Sequence, residues 1–204
     1  MDTRLALRDA RGPLNDLMDK LSGEQGAAWL RRLSKMLRGE NPFEFHARDF
    51  AVWKILKLGT YKTVEEFTAA LQTKKRRISD WAADILKKVT VASAETELDL
   101  VLVSVAELGF KDGATYKDIC DRALECGLEF CPAEVGPQLR LQYEDQPKDE
   151  WVLIAMKAIR GSDGSLNIFD VVHDGDELWL CSCHGSPDYF WRWFNRLVFV
   201  RPRK

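Results

Sequence analysis

"LNIFDVVHDGDELWLCSC", residues 166–183, sets two runs of β-branched, aromatic and other apolar residues on either side of a short polar turn. Asp174-Gly175 is a dipeptide that tight hairpin turns favour, because it tolerates positive φ. The stretch predicts an antiparallel hairpin centred near Gly175, with His173 close to Glu177 or Leu178. Working outward, "EWVLIAMKAI" (150–159) predicts a buried strand, "GSDGS" (161–165) a turn and "RLVFVRP" (196–202) a last strand. Upstream, "LDLVLVSV" (98–105) is strand-like, and "PQLRLQY" (137–143) alternates as a strand does. Between them "TYKDICDRALECG" (115–127) predicts a helix, with Thr115 as its cap and Gly127 past its end; Ile119, Cys120, Ala123 and Leu124 face inward. Strands in succession with short turns imply a mostly antiparallel sheet of about five to six strands with one packed helix.

Part of this region looks familiar. "AELGFKDGATYKDICDRALECGLEFCPAEVGPQLRLQY" (106–143) and the later "DYFW…VFVRP" resemble a bacterial family of uncharacterised, hypothetical proteins over most of the chain. The resemblance implies kinship with that family; it brings no fold, activity, cofactor or site residue.

The first part of the chain has helical periodicity. "PLNDLMDKLSGEQGAAWLRRLSKML" (13–37) carries one stripe of Leu14, Leu17, Met18 and Leu21 and another of Trp29, Leu30, Leu33, Met36 and Leu37. Ser22-Gly23 separates them into two short helices, and Pro42 in "GENPFEF" ends the second. In "FAVWKILKLGTYKTVEEFTAALQTKKRRISDWAADILKK" (50–88), Thr63 and Glu66 have capping-box spacing. Val64, Phe67, Ala70 and Leu71 give that helix an apolar face. A further helix starts near Ser79 with Trp81, Ala82, Ile85 and Leu86 inward, and "TKKRR" places four cations at its head. Two helices about a basic turn are read either as a plain helical hairpin or as a helix-turn-helix.

The charge is unevenly spread. Residues 1–90 hold 18 Lys and Arg against 12 Asp and Glu, and residues 91–204 hold 12 against 20. With the change of period near "VTVASAETE" (89–97), this predicts an α+β chain made of a basic, all-helical domain, 1–90, and an acidic α+β domain, 98–204. Hydrophobic residues make up 46% and charged residues 30% of the chain, which places it among globular rather than disordered proteins. No apolar run approaches a membrane span, so no membrane partner is expected. "MDTRLALRDARG" lacks a secretory h-region, and five cysteines without scaffold spacing fit reduced thiols; both point to the cytoplasm.

The densest group of reactive side chains is "LWLCSCHGSPDYFWRW", 178–193. On a strand Cys181 and Cys183 share one face, while His184 points to the other. C-x-C in extended chain is a poor zinc pair, and Cys120, Cys126 and Cys131 supply no second pair, so no metal is expected. Thiol catalysis needs an exposed cysteine beside a base, and strand geometry separates Cys183 from His184. "YEDQPKDE" (143–150) and "HDGDE" (173–177) fit solvated turns better than calcium loops. No phosphate loop, dinucleotide fingerprint or nucleophile elbow is present, so no cofactor is expected.

The aromatic run "DYFWRWF" (188–194) remains. It is either clamped on both faces or exposed as a recognition surface of Tyr189, Trp191, Arg192 and Trp193. Three functions follow, in order. The first is a non-catalytic cytoplasmic protein that binds a protein partner, through its helical part, its aromatic segment, or both. The second is a nucleic-acid-binding protein using Lys74, Lys75, Arg76 and Arg77 on phosphates. The third is an enzyme with its site around His173 or His184. Elemental analysis of the purified protein is expected to find no stoichiometric zinc. About one zinc per chain, lost on Cys181→Ala, would overturn the reading of the C-x-C pair.

Overall fold

A computed structural model describes residues 11–23, 26–39 and 46–203. The expected start of the chain (1–10) and the Pro42 helix stop lie outside those residues. Two compact units divide the chain, Met1–Phe45 and His46–Lys204.

In the first unit, helices α1 (Arg11–Ser22) and α2 (Gly26–Leu37) match the two stripes read from the sequence. Trp29 on α2 lies against two cations, with Lys20 4.5 Å and Arg32 5.2 Å from its ring. Leu14, Met18, Leu30, Met36 and Leu37 are exposed.

The second unit runs β1 (Lys54–Leu58), α3 (Val64–Thr73), β2 (Arg77–Ile78), α4 (Asp80–Leu86), β3 (Thr96–Ser104), β4 (Ala114–Thr115) and α5 (Tyr116–Glu125). It continues through α6 (Val135–Gln142), β5 (Trp151–Ile154), β6 (Ile159–Arg160), β7 (Leu166–Asp174), β8 (Glu177–His184), β9 (Phe190–Trp191) and β10 (Arg196–Arg201). The main sheet has the order β1-β3-β10-β5-β7-β8-β2, with β6 added beside β7, while β4 and β9 form a separate ribbon. The α+β class holds. The sheet is larger than expected and mixed, because β10 runs parallel to β5 and β2 runs parallel to β8.

The central hairpin forms as read: β7 and β8 pair with His173 opposite Leu178 and Asp174 opposite Glu177. The helix starts hold as well. Thr63, Ser79 and Thr115 accept backbone N–H bonds from Glu66, Ala82 and Asp118. Glu66 departs from the capping-box expectation, since its carboxylate takes the N–H of Lys62 instead. Gly127 has φ +79, as a residue just past a helix end requires.

Three expectations are corrected. The division into 1–90 and 98–204 fails because β1 pairs with β3 and β2 with β8, so residues on both sides of 89–97 share one sheet. Residues 54–58 and 77–78 are strands, so 1–90 is not all helical. "PQLRLQY" lies in helix α6 rather than a strand. That helix is buried from Val135 to Leu141, including Arg140, so it has no polar face to show the helical period. Pro137 sits in its first turn, where the missing N–H costs nothing.

α6 packs against α3, β1, β7 and β8. Three polar side chains spaced four apart on it hold neighbouring chain. Glu134, 1% exposed, accepts N–H bonds from Gly59 and Ala92 at 2.7 Å each and from Gln138 at 3.2 Å. Gln138 donates to Thr60, and Gln142 bonds both the N–H and the C=O of Lys57. Gln142 thus occupies part of the free edge of β1.

Gly136 is the close approach on which this packing rests. A Cβ there would lie 2.6 Å from Cγ and Cδ2 of Phe169, which is fully buried. Gly136→Ala is expected to destabilise the fold by about 1–3 kcal/mol through overpacking. Adding Phe169→Leu should cost less than the sum of the two single changes, measured by urea unfolding. Strict additivity would mean that the two residues do not compete for space.

Candidate functional site: an aromatic sheet face

Register places Trp151 on β5 opposite Val172 on β7, Val172 opposite Trp179 on β8, and Trp179 opposite Arg77 on β2. Directly paired residues share a face, so these four side chains form one row across the sheet. The next row on this face is Leu153, Asp170 and Cys181; Ile168 and Cys183 follow. α6 meets the sheet on the opposite face, through Phe169.

The segment after β8 packs onto the Trp151 end. Trp191, 3% exposed, lies edge-on to Trp151 at 5.8 Å and to Tyr189 at 4.9 Å. Tyr189 stacks on His184 at 4.6 Å. The β4–β9 ribbon holds the segment, with Ala114 opposite Trp191 and Thr115 opposite Phe190. Gly113, at φ +107, is required here, because a Cβ would lie 2.4 Å from the carbonyl oxygen of Trp191. Tyr189, Phe190, Trp193 and Phe194 remain exposed, with Trp193 edge-on to Phe194 at 5.5 Å. The chain turns sharply after Trp191, where Asn195 Oδ1 accepts the N–H of Arg192.

Of the four residues expected to meet a partner, Tyr189, Arg192 and Trp193 are exposed. Trp191 is corrected to a core residue. Phe190, Phe194 and Trp151 join the surface instead. Within 188–194 only Phe190 and Trp191 are strand, so the rings beyond them are aimed by the turn rather than by strand alternation.

Beneath the platform sits a buried carboxyl. Asp170 is 3% exposed; its Oδ2 accepts Trp151 Nε1–H at 2.6 Å, and its Oδ1 is buried with no partner. Burial pushes its pKa up to about 7, against the hydrogen bond from Trp151 and the nearby Cys183 thiol, which act to lower it. The same burial raises Cys181 to about 11 and Cys183 well above its usual value. These thiols stay protonated at neutral pH and are poor nucleophiles. His173 Nδ1 bonds the carbonyl of Gln146, and His184 lies in the aromatic stack, so the structure does not bring the two histidines to one reactive centre with Cys183. Among the described residues no group of three His, Cys, Asp or Glu side chains could hold a metal.

The cation run is also relocated. It leaves the end of α3 and enters β2, rather than heading α4. Lys74 Nζ reaches Glu144 at 2.6 Å and the Leu141 carbonyl at 3.2 Å. Arg76 lies 3.8 Å from Glu144, and Arg77 lies 3.4 Å from Glu177. Lys75 is exposed with φ 54. Three of the four cations therefore face acids of the chain's own second half.

Among the described residues no helix is long and apolar enough to cross a membrane. Comparison of the chain with family models, curated proteins and solved structures finds no match.

Asp170 makes stability depend on pH. An unfolded aspartate ionises near 3.8 and the folded one near 7, so between these values the folded chain keeps a proton that the unfolded chain has released. The stability contribution is fully present below the lower value and is lost as pH rises through the upper one. Wild type should therefore lose stability relative to Asp170→Asn from about pH 4 to about pH 7 and run parallel to it above about pH 8, measured by urea unfolding. A difference that stays flat throughout would place an ordinary carboxylate at Asp170.

Proposed function

We propose that this chain is a non-catalytic, cytoplasmic binding protein that holds a protein partner on the aromatic surface formed by Tyr189, Phe190, Trp193 and Phe194. The observation that carries the reading is the exposure of four large aromatic side chains on a segment anchored from behind by buried Trp191. Interface centres are enriched in Tyr, Trp, Phe and Arg and depleted of Lys, Glu and Asp. Arg192 is the one cation between Phe190 and Phe194, and no acid lies between them. Aromatic anchors on a rigid element bury much area at low entropic cost.

The raised thiol pKa values and the separated histidines favour binding over catalysis. The pairing of Lys74 and Arg77 with acids of the same chain weighs against a duplex DNA surface made of that run alone.

Full-length protein and a Phe190→Ser, Trp193→Ser, Phe194→Ser variant should be compared in a pull-down from native lysate, with and without nuclease. All three side chains are more than half exposed, so the variant should keep the wild-type melting curve. Loss of a nuclease-resistant partner from the variant is the expected result. Identical partners on both baits would rule the surface out.

A further inference from the structure

A second aromatic group lies at the other end of the Trp151 row. Arg76, Arg77, Asp80, Trp81, Trp179 and Gln72 line an open groove of about 680 Å³ beside β2. That volume is in the range of small-ligand sites. Trp81, expected in the core, is instead 53% exposed, and Trp179 on β8 is half-buried. The Arg77 guanidinium lies 5.3 Å from the Trp179 ring.

Arg76 carries the decisive feature. Its side chain is 18% exposed, and its Nε–H is buried with no partner. Glu144, at 3.8 Å, is beyond hydrogen-bond reach and already takes Lys74 at 2.6 Å. A second guanidinium stands behind it. Arg140 is fully buried and bonds only neutral acceptors: the Gln146 side chain and the Val172 and Tyr143 carbonyls. Burial, and then the charge of Arg76, pulls Arg140 down to about 10. The nearest acid to the Arg76 guanidinium, Glu144, is too distant to hydrogen-bond it, and an anion entering the groove that Arg76 lines would supply a closer counter-charge.

We propose that this groove binds a nucleotide, with Trp81 and Trp179 stacking on the base and Arg76 and Arg77 taking the phosphate, Arg77 in exchange for its exposed contact with Glu177 at 3.4 Å. Aromatic side chains stack on any base, and an arginine fork matches phosphate oxygens. The ligand is a free nucleotide or a nucleotide within a single strand. A duplex keeps its bases stacked on one another and does not offer them to the tryptophans. The site is separate from the Tyr189–Phe194 surface and does not depend on it.

Calorimetric titration of the full-length protein with AMP, adenosine, inorganic phosphate, phenyl phosphate and hexa-adenylate tests this. AMP should saturate one site, and adenosine, phosphate and phenyl phosphate should each bind at least about tenfold more weakly, since both the ring and the phosphate are needed. Trp81→Ala, at an exposed position, should weaken AMP by about tenfold with an unchanged melting curve. Arg76→Lys, which keeps the charge but loses the Nε donor, should weaken it too. The Phe190, Trp193, Phe194 triple variant should bind AMP as wild type does, which separates this site from the partner surface. Hexa-adenylate binding about tenfold or more tighter than AMP assigns a single strand, and equal affinity assigns the free nucleotide. No saturable binding of AMP or hexa-adenylate, binding indifferent to Trp81→Ala, or phenyl phosphate binding as tightly as AMP would overturn the proposal.

Discussion

Glu134 has a carboxylate out of water and no cation within bonding reach in its described contacts. Three N–H donors from three parts of the chain hold it: Gly59 after β1, Ala92 before β3, and Gln138 one turn along α6. Hydrogen bonds to a charged acceptor are stronger than neutral ones, and a buried charge that loses them bears the full desolvation penalty. The arrangement therefore works in one register of α6 against β1 and not in its neighbours. Gln138 and Gln142 continue the same line to Thr60 and Lys57, so one helix edge fixes the entry to β3 and covers part of a sheet edge. With α6 so placed, Gly136 meets Phe169 on β7, and the opposite face of β5, β7 and β8 is left to the aromatic row.

What the sequence revealed follows from how local each signal is. The β7–β8 hairpin, the caps at Thr63, Ser79 and Thr115, and the left-handed Gly127 each depend on a few adjacent residues, and each was legible. α6 was not, because a helix buried all round has no polar face and Leu139, Arg140 and Leu141 mimic strand alternation. β1 and β2 were missed because they are short and are defined by partners far along the chain, β3 and β8. At the site, the aromatic segment was visible as composition. Which rings face outward was not, because that depends on the turn after Trp191. The groove could be seen only in part: "TKKRR" flagged Arg76 and Arg77, but nothing local brings Trp179 to Trp81.

The charge asymmetry also changes meaning once the sheet is known. The change of charge sign near residue 90 is not a boundary between bodies, since β1 and β2 share one sheet with β3 and β8. Lys54 meets Asp145 at 3.2 Å, Lys74 meets Glu144 at 2.6 Å, and Arg77 approaches Glu177. Exposed pairs of this kind contribute little stability each. Their collective effect is to favour the pairing of β1 and β2 with strands made later, against alternatives that would set like charges together.

The position of β10 bears on how the chain is made. Residues 196–201 form the last strand in chain order, yet they lie inside the sheet, antiparallel to β3 and parallel to β5. During synthesis β3 and β5 must wait with open edges until this strand has left the ribosome, because no earlier segment fills the gap. Sheet edges exposed for that interval invite pairing with other nascent chains. The many long-range pairings also slow folding itself. The chain should accordingly depend on chaperone capture of its first three-quarters, through β5, and stalled or shortened products lacking residues 196–201 should aggregate rather than persist as smaller folded pieces.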